Sequence, residues 1–341
     1  MAIEDVLEAF KGHGLVQLGK GWRAHCPAHD DPTPSLRIDL DEGGWVLINC
    51  LAGCKTSDVL EAVGLTWRDL FEGPGGRRKD SASKARRPLA EATRNLRHAV
   101  YGAFLSKLTL QPDDLDGLRK RGLSDAEIAA RGYKSLTRPG CSDAVRNLRR
   151  EFGQSAVKSV PGFLKVIGVV GRRGRVCPVM TQGLVIPVRD EKGRIVALQV
   201  RRDDADFKYC WIVEKGGHTY PHVPLGTPCP APLIRVTEGP LKADVITSLD
   251  KEAVPTIAAA SVTTWKDTLP VLKAMDAKTV RLAFDVDWKD KPSVNRQMGE
   301  YYLELERLGY TVDIEEWPIS QGKGLDDLLA SGHKPSVIRE G

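Results

Sequence analysis

The chain has 341 residues, 41% hydrophobic and 28% charged, with a formal net charge of +5. That balance builds about two folded domains and excludes a wholly disordered chain. Its apolar runs stop short of the roughly 18–20 residues that cross a bilayer, and the acidic start MAIEDVLEAF lacks the basic and apolar regions of a secretion signal. A cytoplasmic protein is therefore expected, with no membrane partner.

Ile3, Val6, Leu7 and Phe10 recur at helical spacing, and Gly12 and Gly14 end that helix. From Trp22 to Cys54 the texture is short strands and turns, with SLRIDL and WVLIN alternating as a small β-ribbon. A short helix follows over Asp58–Val63 and stops at Gly64. Residues 72–88 hold six basic residues and almost nothing apolar, the signature of a flexible basic linker. Residues 89–136 read as helical, with Ser124 and Glu127 forming a capping box ahead of a helix that ends near Gly132. Residues 163–225 read as mixed β, and LVIPVRDEKGRIVALQVRR predicts two apolar strands around a DEKG turn. From Pro232 strands and helices alternate, which predicts a parallel sheet covered on both faces. Its elements are LIRVTE, the helix LKADVITSL, VPTIAAA, a helix over Leu269–Met275, TVRLAFDVD, a helix with Met298, Tyr302, Leu305 and Leu308 on one face, and YTVDIEEW as the last strand.

Seven cysteines are too few for a disulfide scaffold, and three lie within the first 54 residues. Cys26 and His29 stand in a C-x2-H pair, and Cys50 and Cys54 in a C-x3-C pair. Three thiolates and one imidazole on tight turns make a closed tetrahedral zinc site of the structural kind. In so small a domain, bound metal would supply folding energy. The stretch CPAHDDPTPSLRIDLDEGGWVLINCLAGC resembles the CHC2 zinc-binding domain of DnaG-type primases, with C-x3-C where the bacterial form has C-x2-C. The resemblance implies a module that inspects single-stranded template for an initiation site.

Acidic residues recur at predicted strand ends further along. Glu238-Gly239 follows LIRVT, Asp285-Val286-Asp287 follows VRLAF, and Asp326-Asp327 follows Lys323-Gly324. In a parallel sheet such positions converge at the carboxyl ends of the strands. Alternate residues of an extended segment share a side, so Asp285 and Asp287 can act together and Glu238 can join them. Such a mutually repulsive cluster is built around cations, and carboxylate oxygens suit Mg²⁺ or Mn²⁺. This order of acids resembles the Toprim fold shared by DnaG-type primases, topoisomerases and some nucleases. By that resemblance Glu238 matches the motif glutamate, which is also a possible acid/base. Asp285 and Asp287 match the metal-binding D-x-D, and Asp326 or Asp327 the later acid. The segment EGPLKAD departs from the usual form in carrying Lys242 and Asp244 after the turn. Asp244 alone reads more readily as a solvated helix residue than as a further ligand.

The hairpin GLVIPVRDEKGRIVALQVRR with KYCWI resembles the N-terminal subdomain of the primase core. By that match Arg201, Arg202 and Lys208, with Lys242, would hold nucleoside triphosphates or template phosphate. Arg172, Arg173 and Arg175 make another basic turn, and Tyr209 and Trp211 either stack on bases or pack in a strand.

Together these features resemble a DnaG-type primase of phage or mobile-element kind, with α+β and α/β character. The expected organisation is a zinc-binding domain over 1–71, a linker over 72–88, the N-terminal part of the core over 89–230, and a Toprim domain over 231–341. The resemblance implies short RNA primers made on single-stranded DNA from nucleoside triphosphates by two-metal nucleotidyl transfer. No GxxxxGK[ST] motif occurs, so a helicase motor is expected as a separate partner or in a part of a longer protein. A Toprim nuclease and a non-catalytic, helicase-recruiting single-strand binder are the alternatives. A strand-passage enzyme is disfavoured because no tyrosine-nucleophile domain is evident.

Overall fold

The computed structural model describes residues 3–40, 45–71, 89–163, 168–170, 176–178, 182–202, 208–212, 219–286 and 292–339. The linker expected over 72–88, the basic turn at Arg172, Arg173 and Arg175, and Asp287 lie outside them.

Helix α1 (Ile3–Phe10) buries Val6 and Phe10. Strands β1 (Val16–Leu18), β2 (Gly21–Ala24), β3 (Leu36–Leu40) and β4 (Val46–Cys50) form an antiparallel sheet in sequence order. Alternation sets the register of its central pair. Leu36 and Ile38 face the core opposite Cys50 and Ile48, while Arg37 points to solvent. Helices α2 (Thr56–Ala62) and α3 (Trp67–Phe71) close this layer.

The next stretch holds α4 (Glu91–Leu105), α5 (Pro112–Lys120), α6 (Asp125–Arg131), β5 (Lys134–Leu136), α7 (Arg138–Phe152) and α8 (Gln154–Ser159). The capping box forms as expected: Glu127 N–H donates to Ser124 Oγ, and Ser124 N–H donates to Glu127 Oε2. Gly132 ends α6 at φ +76°, where a side chain would be strained. Residues 134–136 were expected to be helical and are instead a strand, paired with the sheet that follows. Three residues are too short to display a period, and the partner strand decides. Strands β6 (Gly168–Val170), β7 (Val176–Pro178), β8 (Gly183–Arg189), β9 (Ile195–Arg201) and β10 (Tyr209–Ile212) complete an antiparallel sheet ordered β5-β8-β9-β10-β6-β7. The DEKG turn joins β8 to β9, with Asp190 Oδ1 accepting from the N–H of Lys192 and of Arg194, each at 3.0 Å.

The third layer runs β11 (Leu233–Glu238), α9 (Pro240–Leu249), β12 (Thr256–Ala259), α10 (Leu269–Ala274), β13 (Thr279–Leu282), α11 (Pro292–Arg307), β14 (Thr311–Glu316), α12 (Leu325–Ala330) and β15 (Ser336–Arg339). The sheet order is β12-β11-β13-β14-β15, parallel through β14. YTVDIEEW is not the last strand: SVIR adds an antiparallel edge beyond it. One face is apolar, with Ile234, Val236, Val280, Leu282, Val312 and Ile314 in a single cluster. The other face carries a buried ionic network in which Arg235 grips Glu315 with two bonds, of 2.7 and 3.0 Å, and Arg281 meets Asp313 at 3.1 Å. Leu308 falls in the turn after α11 and is exposed, so it leaves the face formed by Met298, Tyr302 and Leu305.

The apolar core of the first layer is continuous with that of the third, because α3 rests on α11 and Trp67 joins the shared cluster. Ser57 N–H donates to Glu316 Oε2 at 3.1 Å, and Lys55 Nζ donates to Ser336 Oγ, across the same contact.

Candidate metal centres

Cys26, His29, Cys50 and Cys54 converge, each offering one donor atom, with all four atoms within 4.8 Å of one another. His29 turns Nδ1 to the sulfurs, 3.2 Å from Cys54 Sγ and 4.0 Å from Cys50 Sγ. Its Nε2 faces Asp31 Oδ1 at 3.5 Å. A carboxylate behind the imidazole fixes the ring and raises its basicity as a ligand. Asp31 also ties both ends of the site together. Its Oδ2 accepts from Cys26 N–H at 2.6 Å, Ser35 N–H at 3.0 Å and Ser35 Oγ at 2.8 Å. Burial alone would raise the Asp31 carboxyl, but these donors outweigh it and hold it down to about 2. Burial pushes the Cys26 thiol up to about 12, so this sulfur becomes a thiolate only when a cation is there to hold it. Three sulfurs and one imidazole nitrogen at such spacing fit a tetrahedral zinc ion with no open position.

The acids at the strand ends lie in the third layer. β11 and β13 are parallel neighbours with Val236 opposite Leu282, so Glu238 and Asp285 emerge at the same edge of the sheet. Gly239 follows Glu238 at φ +90° and turns the chain into α9, with Pro240 in its first turn. The Asp285 turn is tied to the loop before α12, because Val286 N–H donates to Lys323 O at 3.0 Å. Helix α12 then delivers Asp326 in its first turn. A Cβ placed on Gly324 would collide with Asp326 Oδ1, and would lie 3.1 Å from Lys242 Nζ and 3.3 Å from Asp285 Oδ1. Three charged atoms thus share one small cradle, floored by backbone.

Lys242 stands among these acids and pairs with Asp285 Oδ1. Burial opposes its charge, but Asp285, Asp326 and Glu238 together raise its ammonium above the ordinary lysine range. Lys323 Nζ lies 3.8 Å from Asp285 Oδ2, and Arg121 Nη1 lies 3.6 Å from Asp326 Oδ2. Asp326 is 4% exposed, and its Oδ1 is buried without a hydrogen-bond partner. Burial raises its carboxyl despite Lys242, and the neighbouring charge of Asp327 adds to the rise. An orphaned carboxylate oxygen facing two further acids suits a hard cation with oxygen ligands.

Asp244 is not a solvated helix residue. It is 2% exposed and takes part in a buried cluster with Tyr133, Arg131 and His222. Those partners come from other elements and carry no signal in a linear motif. Arg121, which follows α5, is likewise invisible to sequence reasoning.

Arg201 ends β9 opposite Leu184, and directly opposed residues share a face. Leu184 and Ile186 pack against Leu241 and Val245 of α9, so Arg201 lies on the side of the sheet that meets α9. Arg202 and Lys208 stand between β9 and β10, with Arg202 N–H donating to Lys208 O at 2.6 Å. Trp211 is in the core beside Val188, Val196 and Ala197, whereas Tyr209 is exposed.

Residues 230–335 match a family described as a domain of unknown function, DUF3854. A DNA primase of Deinococcus radiodurans is 29% identical over 57% of this chain and 34% of its own length. A DNA primase of Pseudomonas putida is 27% identical over 54% of this chain and 29% of its own. The chain spans about a third of the length of the curated relatives it matches. The zinc-binding and RNA polymerase domains of Aquifex aeolicus primase superpose with a TM-score of 0.51, at 14% identity, over 99% of this chain and 84% of that one. The resemblance to DnaG-type primases is borne out, in sequence by the curated relatives and in fold by the Aquifex structure.

Proposed function

We propose that this chain is the zinc-binding and polymerising part of a DNA primase, acting on single-stranded DNA with nucleoside triphosphates. The observation that carries the reading is the convergence of Glu238, Asp285 and Asp326 on Lys242 at the carboxyl edge of a parallel sheet, in a chain related to primases along its sequence. Asp287 stands two residues beyond Asp285 and would complete the acidic set. The proposed division is zinc-binding over 1–71, a linker over 72–88, the N-terminal core over 89–230, and a Toprim domain over 231–341.

Zinc at Cys26, His29, Cys50 and Cys54 would be structural, with the surrounding domain selecting where synthesis starts. Divalent magnesium or manganese at the acidic edge would neutralise charge on the reacting triphosphate and lower the barrier to its attack by a 3′-hydroxyl. Glu238 and Asp285 would offer it oxygen ligands, and Glu238 would take the hydroxyl proton. A new bond then forms between the 3′-oxygen and the α-phosphorus as pyrophosphate leaves. Arg201, Arg202 and Lys208 would hold triphosphate or template phosphate from the neighbouring sheet. A separate replicative helicase and a cytoplasmic setting follow from the same reading. Among the described residues no helix is long and apolar enough to cross a membrane.

The test is de novo synthesis from labelled ribonucleotides on mixed-sequence single-stranded DNA with Mg²⁺ or Mn²⁺. Short products that disappear in Asp285→Ala, while single-strand binding persists, are expected. Binding without products in either protein would refute the polymerase reading and favour a recruiting module. Cleavage of DNA without nucleotides would favour a nuclease.

A further inference from the structure

We infer that Gln199 is the sugar contact of the site: its side-chain carbonyl accepts a hydrogen bond from a ribose hydroxyl of the incoming nucleotide. The inference rests on the polymerising reading above and deepens it, by assigning a residue that tells a ribonucleotide from a deoxy analogue.

Strand register places the residue. Gln199 stands within β9, with Ile186 opposite it on β8 and Trp211 opposite it on β10. Directly opposed residues share a face, so these three side chains form one row across the second sheet. Ile186 belongs to the cluster that holds Leu241 in the first turn of α9. Trp211 belongs to a cluster with Val188, Val196 and Ala197, and Ala260 packs against that cluster. Leu241 and Ala260 bracket the turn that carries Glu238. Leu241 lies two residues beyond Gly239, and Ala260 follows Ala259, whose carbonyl accepts from Gly239 N–H at 2.9 Å. Gln199 therefore stands between two contacts that flank the Glu238–Gly239 turn. The next row on the same face is Leu184, Arg201 and Tyr209. Arg201 is half-buried there and Tyr209 is exposed, so the amide lies one row in from solvent.

The chemistry of the amide selects its partner. Gln199 is 3% exposed, and its Oε1 is buried without a hydrogen-bond partner. An unmet buried acceptor costs stability, and an apolar side chain of similar length would fill the row without that cost. A carbonyl needs a donor. The triphosphate presents acceptor oxygens, which cations answer. The base edges differ among the four nucleotides, and a site directed by a template admits all four. The sugar hydroxyls are the donors common to every ribonucleoside triphosphate. A glutamine that contacts one of them accepts every base and rejects a sugar lacking that hydroxyl, because its carbonyl is then left unpaired beside the bound nucleotide.

The experiment is single-nucleotide incorporation by the zinc-loaded full chain on a primed single-stranded template. The substrates are one ribonucleoside triphosphate and its 2′-deoxy and 3′-deoxy analogues. For the unaltered protein, kcat/KM for the ribonucleotide should exceed that for one analogue by about 10- to 100-fold, and the analogue refused names the hydroxyl. Gln199→Met should abolish this preference by lowering the ribonucleotide value alone. Its unfolding midpoint should not fall, since the unmet acceptor is removed. An unchanged preference in Gln199→Met, or an equal loss on all three substrates, would overturn the inference. So would an unaltered protein that discriminates against neither analogue, a result that needs no variant. In each of these cases incorporation persists and the polymerising reading stands. No incorporation of any nucleotide by the unaltered protein would overturn that reading, and the sugar contact with it.

Discussion

His222 Nε2 donates to Asp244 Oδ1 across 3.1 Å, in the seam between the second and third sheets. The proton is assigned to Nε2 because Arg189 N–H donates to Nδ1 at 3.0 Å. Tyr133 donates to the other Asp244 oxygen, and Arg131 Nε lies 3.4 Å from Oδ1. His222 itself is stitched to the edge of the third sheet by a two-way backbone pairing with Ala258. Asp244 is thus the peg by which α9, and with it Lys242 two residues earlier, is held against the neighbouring layer.

Removing that carboxylate charge leaves Arg131 and His222 facing a neutral group in a dry site. Asp244→Asn should cost about 3–5 kcal/mol of stability, the usual loss when one partner of a buried ionic set is taken away. Tyr133→Phe removes one bond to a charged acceptor and should cost about 1.5–3 kcal/mol. Burial alone would raise the Asp244 carboxyl, but His222 and Arg131 hold it below the ordinary range. Its contribution is therefore present above about pH 4 and lost as pH falls through the lower folded value. Denaturant unfolding of the parent and of Asp244→Asn should differ at neutral pH and converge in acid. A constant gap down to acid pH would place the cost elsewhere.

At the zinc site the telling residue is Asp31, which supports ligands without being one. Asp31→Ala should weaken zinc retention by about 10–100-fold against a competing chelator, with all four ligands intact. The carboxyl titrates near 2, well below an unfolded aspartate. It is therefore ionised at every pH at which the thiolates and imidazole hold zinc, and the Asp31→Ala deficit should be the same at pH values from about 6 to 8. Zinc content after graded chelation, measured by elemental analysis, checks this. Because Trp67 joins the core of the third layer, zinc loss should also speed amide exchange in α11.

The motifs legible in the sequence were those written in consecutive residues. The C-x2-H and C-x3-C pairs announced a four-donor cluster, and the cluster forms. Glu238 and Asp285 sit at parallel strand ends, as the alternation of strands and helices implied. What escaped notice depends on pairing across the chain. β5 exists because β8 accepts it, and β15 because β14 has a free edge. Asp244 looked solvated because its period on α9 gives no hint that Tyr133 and His222 come down on it. The ionic face of the third sheet was hidden for the same reason. Arg235 and Glu315 read singly as charged strand residues, and only strand order makes them a buried pair.

The basic residues of β9 and its turn should reveal themselves through salt. Each phosphate contact on single-stranded DNA contributes about 0.7 to the slope of log affinity against log salt. Replacing Arg201, Arg202 and Lys208 together by alanine should lower that slope by about 2 if all three touch phosphate. Fluorescence anisotropy with a labelled single strand over a salt series measures it. An unchanged slope would assign these residues to the sheet edge and not to the template.

Gly324 offers the sharpest separation of site from scaffold. Its backbone is extended, at φ −100° and ψ 160°, which alanine adopts without strain. The loop is held by Asp327 Oδ2 accepting from Gly324 N–H at 3.2 Å, a bond that alanine keeps. The new methyl would nevertheless strike Asp326 Oδ1 and crowd Lys242 Nζ and Asp285 Oδ1. Gly324→Ala should therefore cost about 1–3 kcal/mol of unfolding stability, from crowding of the buried Asp326 alone, since neither backbone strain nor a lost cap is involved. Primer synthesis should fall by about 100-fold, because a shift of one ångström among groups that hold a reacting phosphate costs that much. Single-strand binding should be unaffected. A variant that keeps full synthesis would show that these three charged groups do not form the reacting site, whatever their proximity.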